Sequence, residues 1–313
     1  MSVGVNIRKR RYELRMSQQE LADAMGYKTR STIAKIESGE NDVSQKKLKR
    51  FAEVLETTVE ALVSEYGAAT SPVADSGRPV IGRRRHAVIV LAGGRAGQNR
   101  QNVPTQFVHV GGKPLLVHSM DAYQAHPSID DIYVVCLKGW ESIVSAYAGQ
   151  YGITKLRGLI PAGGSGVASL KNAIDRIRDR YDPEDLILIQ ESTRPLVRVE
   201  TISRLLQACT DKDSATIGHA MREHIQFYVA GGKTGYIDRD AMITLQSPEA
   251  HRLGLLDQVF RKAAERNHPL TETCCTMLLY NLGYPINFIE STINNSKIAR
   301  EEDIAAFSAL VNV

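Results

Sequence analysis

The chain has 313 residues, room for two domains, and its 43% hydrophobic and 24% charged content is that of an ordinary globular protein. A net charge of +4 permits a nucleic-acid or phosphate partner without demanding one. No apolar run approaches the roughly 20 residues that cross a bilayer, so no membrane span is predicted.

The first residues, Met1 to Asn6 and then Arg8-Lys9-Arg10-Arg11, place no apolar stretch behind their charges, so no signal peptide is read. Residues 6–66 then read as a run of short helices. Ser17-Gln18-Gln19-Glu20 forms a capping box, opening a helix through Leu21, Ala24 and Met25 that Gly26 stops. After a polar turn, Arg30-Ser31-Thr32-Ile33-Ala34-Lys35-Ile36-Glu37 begins a second helix, ended by Ser38-Gly39, and Ala22 is small enough to let the two cross closely. Leu48, Phe51, Ala52 and Leu55 repeat at helical spacing further on. The composition then shifts to Ala, Ser, Thr, Pro and Gly and closes on Arg83-Arg84-Arg85, the mark of a linker. These readings divide the chain into a small all-α domain over 1–67, a linker over 68–85 and a larger domain over 86–313.

From His86 onward Val- and Ile-rich runs at 87–91, 132–137, 186–189, 215–217 and 286–289 alternate with helical patterns at 114–124, 169–180, 199–209 and 253–265. That alternation predicts an α/β domain, a mostly parallel twisted sheet with helices on both faces and a ligand site at the strands' carboxyl ends. Residues 226–230 and 236–238 flank Gly231-Gly232-Lys233-Thr234-Gly235 and read as a protruding hairpin. The four cysteines, Cys136, Cys209, Cys274 and Cys275, show neither C-x-x-C nor metal-ligand spacing. Reduced thiols in a cytoplasmic protein are expected, with Cys274 and Cys275 as wall or core residues rather than nucleophiles.

Ser17-Gln18-Gln19-Glu20-Leu21-Ala22, the Ser31–Gly39 segment and the helix around 48–55 together resemble the lambda-repressor-like (Xre-type) helix-turn-helix family, with a turn one residue longer. In that family the recognition helix enters the major groove N-terminus first. The resemblance therefore implies double-stranded DNA as partner, with Gln18, Thr29, Arg30, Ser31, Thr32 and Lys35 as contacts. It also implies a homodimer, because one copy binds weakly. Some members of the fold serve protein contacts alone, and that alternative stays open.

In the larger domain, Ala92-Gly93-Gly94 after the first strand suits backbone approach to phosphates. It is followed by Pro104-Thr105-Gln106-Phe107 and Gly112-Lys113-Pro114-Leu115-Leu116-Val117-His118. Ala162-Gly163-Gly164 with Ser169, Thr193-Arg194-Pro195-Leu196-Val197, Gln246-Ser247-Pro248 and Asn295-Ser296-Lys297-Ile298 come later. In this order the motifs resemble the methylerythritol phosphate and ribitol phosphate cytidylyltransferases over residues 86–310, and so a Rossmann-like nucleotidyltransferase fold. The resemblance implies attack of a sugar-alcohol phosphate on CTP, giving a CDP-alditol and pyrophosphate with the help of Mg²⁺. It assigns Ala92, Gly93, Gly94, Gly163, Gly164 and Ser169 to the nucleotide, and Arg239, Ser247 and Lys297 to the second substrate. Glu191, where the family has Asp, goes to the metal. Related transferases clasp their partner subunit through the hairpin.

Several positions depart from the family. Its Pro-Lys-Gln lysine is Thr105, its Gly-rich segment is one residue longer here, and the Arg three positions before Ser169 is Gly166. Arg95 and Arg100 are approximate stand-ins for the catalytic arginine, Lys113 a weaker substitute for the lysine, while Lys297 and Arg239 are kept. Two readings follow. One is a transcription regulator that senses CTP, a CDP-alditol or a sugar-alcohol phosphate. The other is an active cytidylyltransferase using Arg95, Arg100, Lys297 and the Thr105 position.

Overall fold

The computed structural model describes residues 3–14, 16–41, 43–63, 84–94, 103–221, 225–291 and 293–311. Arg95, Arg100 and most of the expected linker lie outside them.

The N-terminal unit comprises α1 (Val3–Glu13), α2 (Gln18–Met25), α3 (Arg30–Glu37), α4 (Gln45–Val54) and α5 (Val59–Val63). The capping box forms as read: Ser17 Oγ accepts from the Glu20 amide at 3.1 Å, and the Ser17 amide donates to Glu20 Oε2 at 2.6 Å. Gly26 ends α2 at φ 76°, a left-handed turn that glycine adopts without strain. Ile7, Leu21, Ala22, Ile33, Phe51 and Leu55 fill the core. Under it lies a charge pair invisible to the hydrophobic pattern. Arg11 donates through Nε and Nη2 to the two oxygens of Glu37 at 2.7 and 3.0 Å, with side chains 4% and 2% exposed.

The larger unit runs β1 (His86–Ala92), β2 (His109–Val110), β3 (Lys113–Pro114), α6 (Leu115–Ala125), β4 (Asp131–Cys136), α7 (Glu141–Gln150), β5 (Leu156–Pro161), α8 (Gly166–Ile177), β6 (Leu186–Glu191), α9 (Val199–Ala208), β7 (Ser214–Ala220), β8 (Gln226–Ala230), β9 (Lys233–Ile237), β10 (Ile243–Arg252), α10 (Leu253–Glu265), α11 (Cys275–Asn281), β11 (Phe288–Glu290) and α12 (Glu301–Val311). Seven strands form one sheet in the order β11-β7-β10-β6-β1-β4-β5. β1 pairs parallel with β4 and β6, β4 with β5, and β7 with β11, while β10 is antiparallel to β6 and β7. Alternation along β1 sends Val88 and Val90 to one core layer, beneath α6, α7 and α9. Ala87 and Ile89 enter the other, beneath α8, α10 and α11. β8 and β9 form the separate hairpin.

The expected strands and helices are found, with β11 starting two residues later than read and the second hairpin strand, β9, three residues earlier. The sequence reading missed β5 and β10, the short β2–β3 pair, and the helices α7, α11 and α12. β10 carries Gln246, Ser247 and Pro248 in its middle, where its register against β7 shifts between Leu245 and Glu249. A bulge of this kind is one of the few places a sheet interior admits proline, and it breaks the apolar run that would mark a strand. β5 is an edge strand with only Ile160 buried, so its pattern is weak.

Candidate functional site

At the carboxyl ends of β1, β5 and β6 the chain opens a cleft of about 410 Å³. Its first wall is the turn after β1. Gly93 lies so close to β5 that a Cβ there would fall 2.3 Å from the Ala162 Cβ, so only glycine allows the two strand ends to meet. Buried Gln106 holds this turn from behind, donating from Nε2 to the carbonyls of Ala92 and Gly94, both at 2.8 Å. The sequence motif contained Gln106 without giving it a role.

The second wall is Gly163 to Gly166, at the start of α8. Ser169 Oγ accepts from the Gly163 amide at 2.9 Å, and Ser165 Oγ caps α8 by accepting from Ala168. The dipole of this helix favours an anion in the cleft, although its Val167 and Ala168 amides are already taken by the Glu272 carbonyl and Ser165 Oγ. Gly166 touches the Thr273 backbone, and a Cβ there would lie 2.1 Å from the Thr273 carbonyl oxygen.

The third wall brings the charges. Glu191 Oε2 accepts from Arg194 Nε at 2.9 Å and lies 3.3 Å from Lys297 Nζ, whose side chain is 50% exposed. Two buried amides set this geometry. Gln190 Nε2 donates to the carbonyls of Glu191 and Arg194 at 2.8 and 2.9 Å, while Tyr123 Oη donates to Gln190 Oε1. Asn295 donates from Nδ2 to the Ser247 carbonyl and accepts at Oδ1 from the Leu196 amide, and its own carbonyl accepts from Arg194. Lys297, two residues on, is thereby carried to Glu191. The sequence motif contained Asn295 too without giving it a role, because only the fold brings β10, β6 and the C-terminal segment together.

The sequence model of the 2-C-methyl-D-erythritol 4-phosphate cytidylyltransferase family matches residues 86–312. The chain belongs to that family. A helix-turn-helix family model matches residues 7–62. A ribitol-5-phosphate cytidylyltransferase of Lacticaseibacillus paracasei is 28% identical over 223 residues, 71% of this chain and 95% of that protein. A 2-C-methyl-D-erythritol 4-phosphate cytidylyltransferase of Geotalea uraniireducens is 26% identical over 232 residues, 72% of this chain and 97% of its own. The solved 4-diphosphocytidyl-2C-methyl-D-erythritol synthase of Anaerococcus prevotii superimposes with a TM-score of 0.62 at 18% identity, covering 74% of this chain and 99% of that one, a likeness of fold. The cytidylyltransferase relatives are thus matched nearly end to end by the α/β domain, and the helix-turn-helix domain is an addition to it.

Of the residues assigned from sequence, Gly93, Gly94, Gly163, Gly164, Ser169, Glu191 and Lys297 line the cleft together. Ala92 does not, because its side chain is buried and its carbonyl is taken by Gln106. Thr105 is 3% exposed and absent from the lining, so this position packs inward rather than facing a triphosphate. Lys113 is also removed from the cleft, paired with Asp121 at 2.8 Å. Ser247 lines a smaller adjoining cavity of about 220 Å³ with Arg194, Glu249 and Cys274, and its hydroxyl accepts from the Glu191 amide. Burial, and then the Glu249 carboxylate, push the Cys274 thiol up to about 12, which leaves it protonated and a poor nucleophile. Arg239 is exposed in a 3₁₀ turn after the hairpin and lines neither cavity of its own chain.

Glu191 is the one carboxylate among the described residues lining the larger cleft. Its Oε2 is shared by two cations, while its Oε1 carries no hydrogen bond among the described residues. No cluster of three or more His, Cys, Asp or Glu able to cage a metal occurs among them. This donor set fits a magnesium ion that arrives on phosphates, which needs only one or two carboxylates from a protein.

On the helical domain, Thr29, Arg30, Ser31 and Lys35 are exposed along the start and outer face of α3, and Thr32 is half-buried. Gln18 differs from expectation. Its Nε2 donates to Glu37 Oε2 at 2.9 Å, so one end of it belongs to the buried Arg11 pair and only the remainder is free for a partner. No helix among the described residues is long and apolar enough to cross a membrane.

Proposed function

We propose that the chain is a DNA-binding transcription regulator whose cytidylyltransferase-like domain binds CTP, a CDP-alditol or a sugar-alcohol phosphate as effector. The observation that carries this reading is that two positions which carry cations in the family bring no charge to the cleft. Among the described residues its lining contains a single cation, Lys297, already drawn toward Glu191. The family's lysine position is buried Thr105, and one of its two arginine positions is Gly166, closed off by Thr273. A glycine-walled cleft with a helix N-terminus still binds phosphates. Removing a transition-state donor, in contrast, costs about a hundredfold or more in rate.

CTP would enter with its phosphates against Gly93, Gly94 and the α8 N-terminus, and a magnesium ion would be held by Glu191 together with phosphate oxygens. That ion would supply charge neutralisation on the triphosphate. Lys297 and Arg194 would orient the anionic ligand. The helix-turn-helix domain would read double-stranded DNA through Thr29, Arg30, Ser31, Thr32, Lys35 and the free end of Gln18. A homodimer would form through the hairpin, which exposes Phe227 (61%) and Val229 (76%) beside Tyr228 and Tyr236, an apolar surface unusual for a monomer.

The second reading, an active cytidylyltransferase, is favoured by the intact Glu191, Arg194 and Lys297 cluster, with Arg95 and Arg100 completing the set. One pair of measurements separates the two. Pyrophosphate release from CTP is assayed with methylerythritol phosphate or ribitol phosphate, beside CTP binding and its effect on DNA affinity. The regulator binds CTP without turnover and changes its DNA affinity. Turnover in the usual enzyme range with no change in DNA affinity supports the enzyme and ends the regulator reading.

A further inference from the structure

We infer that α7 and the 104–114 segment form a relay tying occupancy of the nucleotide cleft to the helix-turn-helix domain. This rests on the proposal that the cleft takes a nucleotide, and adds how the signal would leave it.

The seam lies between α5 and α7, which pack directly on each other. Ile143, Val144, Ala146, Tyr147 and Ala148 are all buried on α7. At 100° per residue they span an arc of roughly 200°, about twice the stripe of a helix that covers a single core. One part of the arc faces the sheet and another is left for α5, where Leu62 and Val63 are buried. The helical domain's core is accordingly continuous with that face of the α/β core. α5 is in turn fixed to its own domain. Asn6 Nδ2 donates to the Leu62 carbonyl at 3.0 Å, and α5 packs against α1 and α4.

α7 also meets the cleft's support. Trp140, its N-cap, stacks on Phe107 with ring centroids 4.1 Å apart and planes 4° from parallel. Phe107 follows Gln106, whose amide holds the Ala92 and Gly94 carbonyls. Further along, His109 meets Tyr147 edge-on and Tyr151 Oη donates to the Gly112 carbonyl at 2.9 Å. A ligand that reshapes the Gly93–Gly94 turn must therefore move or strain Gln106, and the flat Phe107–Trp140 stack passes that displacement to a helix against which the DNA-binding domain rests. Such coupling is reciprocal, so a disturbance at α5 must reach residues 105–110 as well.

The test uses the full-length chain, whose single tryptophan is Trp140. Amide hydrogen exchange and Trp140 emission are followed during titration with CTP and Mg²⁺. Exchange should slow at 163–169 and change by about fivefold or more at 59–63, with a parallel shift in emission. In Phe107→Leu the cleft should still be protected and 59–63 should no longer respond, whereas Trp140→Phe, which keeps a stacking ring, should retain the response. Cleft protection with no change at 59–63 in the unaltered chain overturns the relay, as does a full response in Phe107→Leu. A ligand-free arm works from the other side: Val63→Asp should speed exchange at 105–110, and an unchanged rate there also overturns it. If CTP protects no segment, the nucleotide reading fails and the ligand-free arm alone decides the relay.

Discussion

Gly166 lies against Thr273 so closely that a Cβ on it would sit 2.1 Å from the Thr273 carbonyl oxygen. The contact is part of a seam, because the neighbouring Val167 amide donates to the Glu272 carbonyl at 3.2 Å and Ser165 Oγ to the Leu270 carbonyl. The position at which related cytidylyltransferases carry arginine is here occupied by another stretch of backbone. Restoring the charge cannot restore the site. Gly166→Arg should push the 272–274 segment outward and weaken CTP binding by about tenfold or more, because overpacking costs roughly 1–3 kcal/mol. Isothermal titration with CTP and Mg²⁺ measures it, and tighter binding would contradict the steric account.

Lys297 should dominate anion binding, since it is the one cation of the larger cleft among the described residues. Lys297→Met keeps the alkyl stem and removes the charge. CTP affinity should fall by about tenfold to a hundredfold, the worth of a charge-assisted hydrogen bond, while the melting temperature hardly changes. Titration with CTP and with cytidine distinguishes phosphate contact from nucleoside contact: a loss equal for both places Lys297 away from the phosphates.

The DNA-binding domain separates its fold from its contacts. Glu37→Ala leaves Arg11 charged and buried without a partner, and should destabilise the domain by about 3–5 kcal/mol in denaturant unfolding. Arg30→Ala combined with Lys35→Ala should leave stability unchanged. It should weaken DNA binding and reduce the steepness of its salt dependence by about two counterions, if both contact phosphates. Intact affinity in the double variant, compared at fixed ionic strength, would mean that α3 does not read DNA.

The hairpin prediction concerns mass. Replacing Phe227 and Val229 of β8 with Ser removes exposed apolar surface from the hairpin without touching the seven-stranded sheet. Sedimentation velocity should show a dimer for the unaltered chain and a monomer for the variant. A dimer of unchanged stability in both would place the interface elsewhere.

Glu249 gives a pH dependence whose sign follows from its surroundings. Burial pushes its carboxyl up, but His251, Thr276 and the Cys275 amide outweigh burial and hold it below the usual carboxylate range. A depressed carboxylate contributes stability above its unfolded pKa of about 4.3, and that contribution is lost as pH falls through the lower folded value. Glu249→Gln should lower stability at pH 7 by about 1–3 kcal/mol and flatten the acid side of the stability curve. Denaturant melts between pH 3 and 7 on the scale of that transition measure both.

What the sequence determined by itself was local or periodic. The capping box, Gly26 and the spacing of Leu21, Ile33 and Ile36 specify two crossing helices because capping and amphipathicity act within a few residues. The Val- and Ile-rich runs separated by helices specify a mostly parallel sheet, and the glycine turn after β1 locates the cleft at its carboxyl edge. Tertiary structure decided which polar residues work together. Asn295 joins Ser247, Leu196 and Arg194, so Lys297 meets Glu191 across more than a hundred residues of sequence. Thr105 turns inward, Lys113 pairs with Asp121, and Gly166 is closed by Thr273. None of these has a sequence period, because hydrogen bonds and steric limits between distant segments depend on where the backbone has already been placed. The same holds for the α5–α7 seam. Five apolar residues on α7 can be counted in the sequence, but only the packed chain shows that two domains share them.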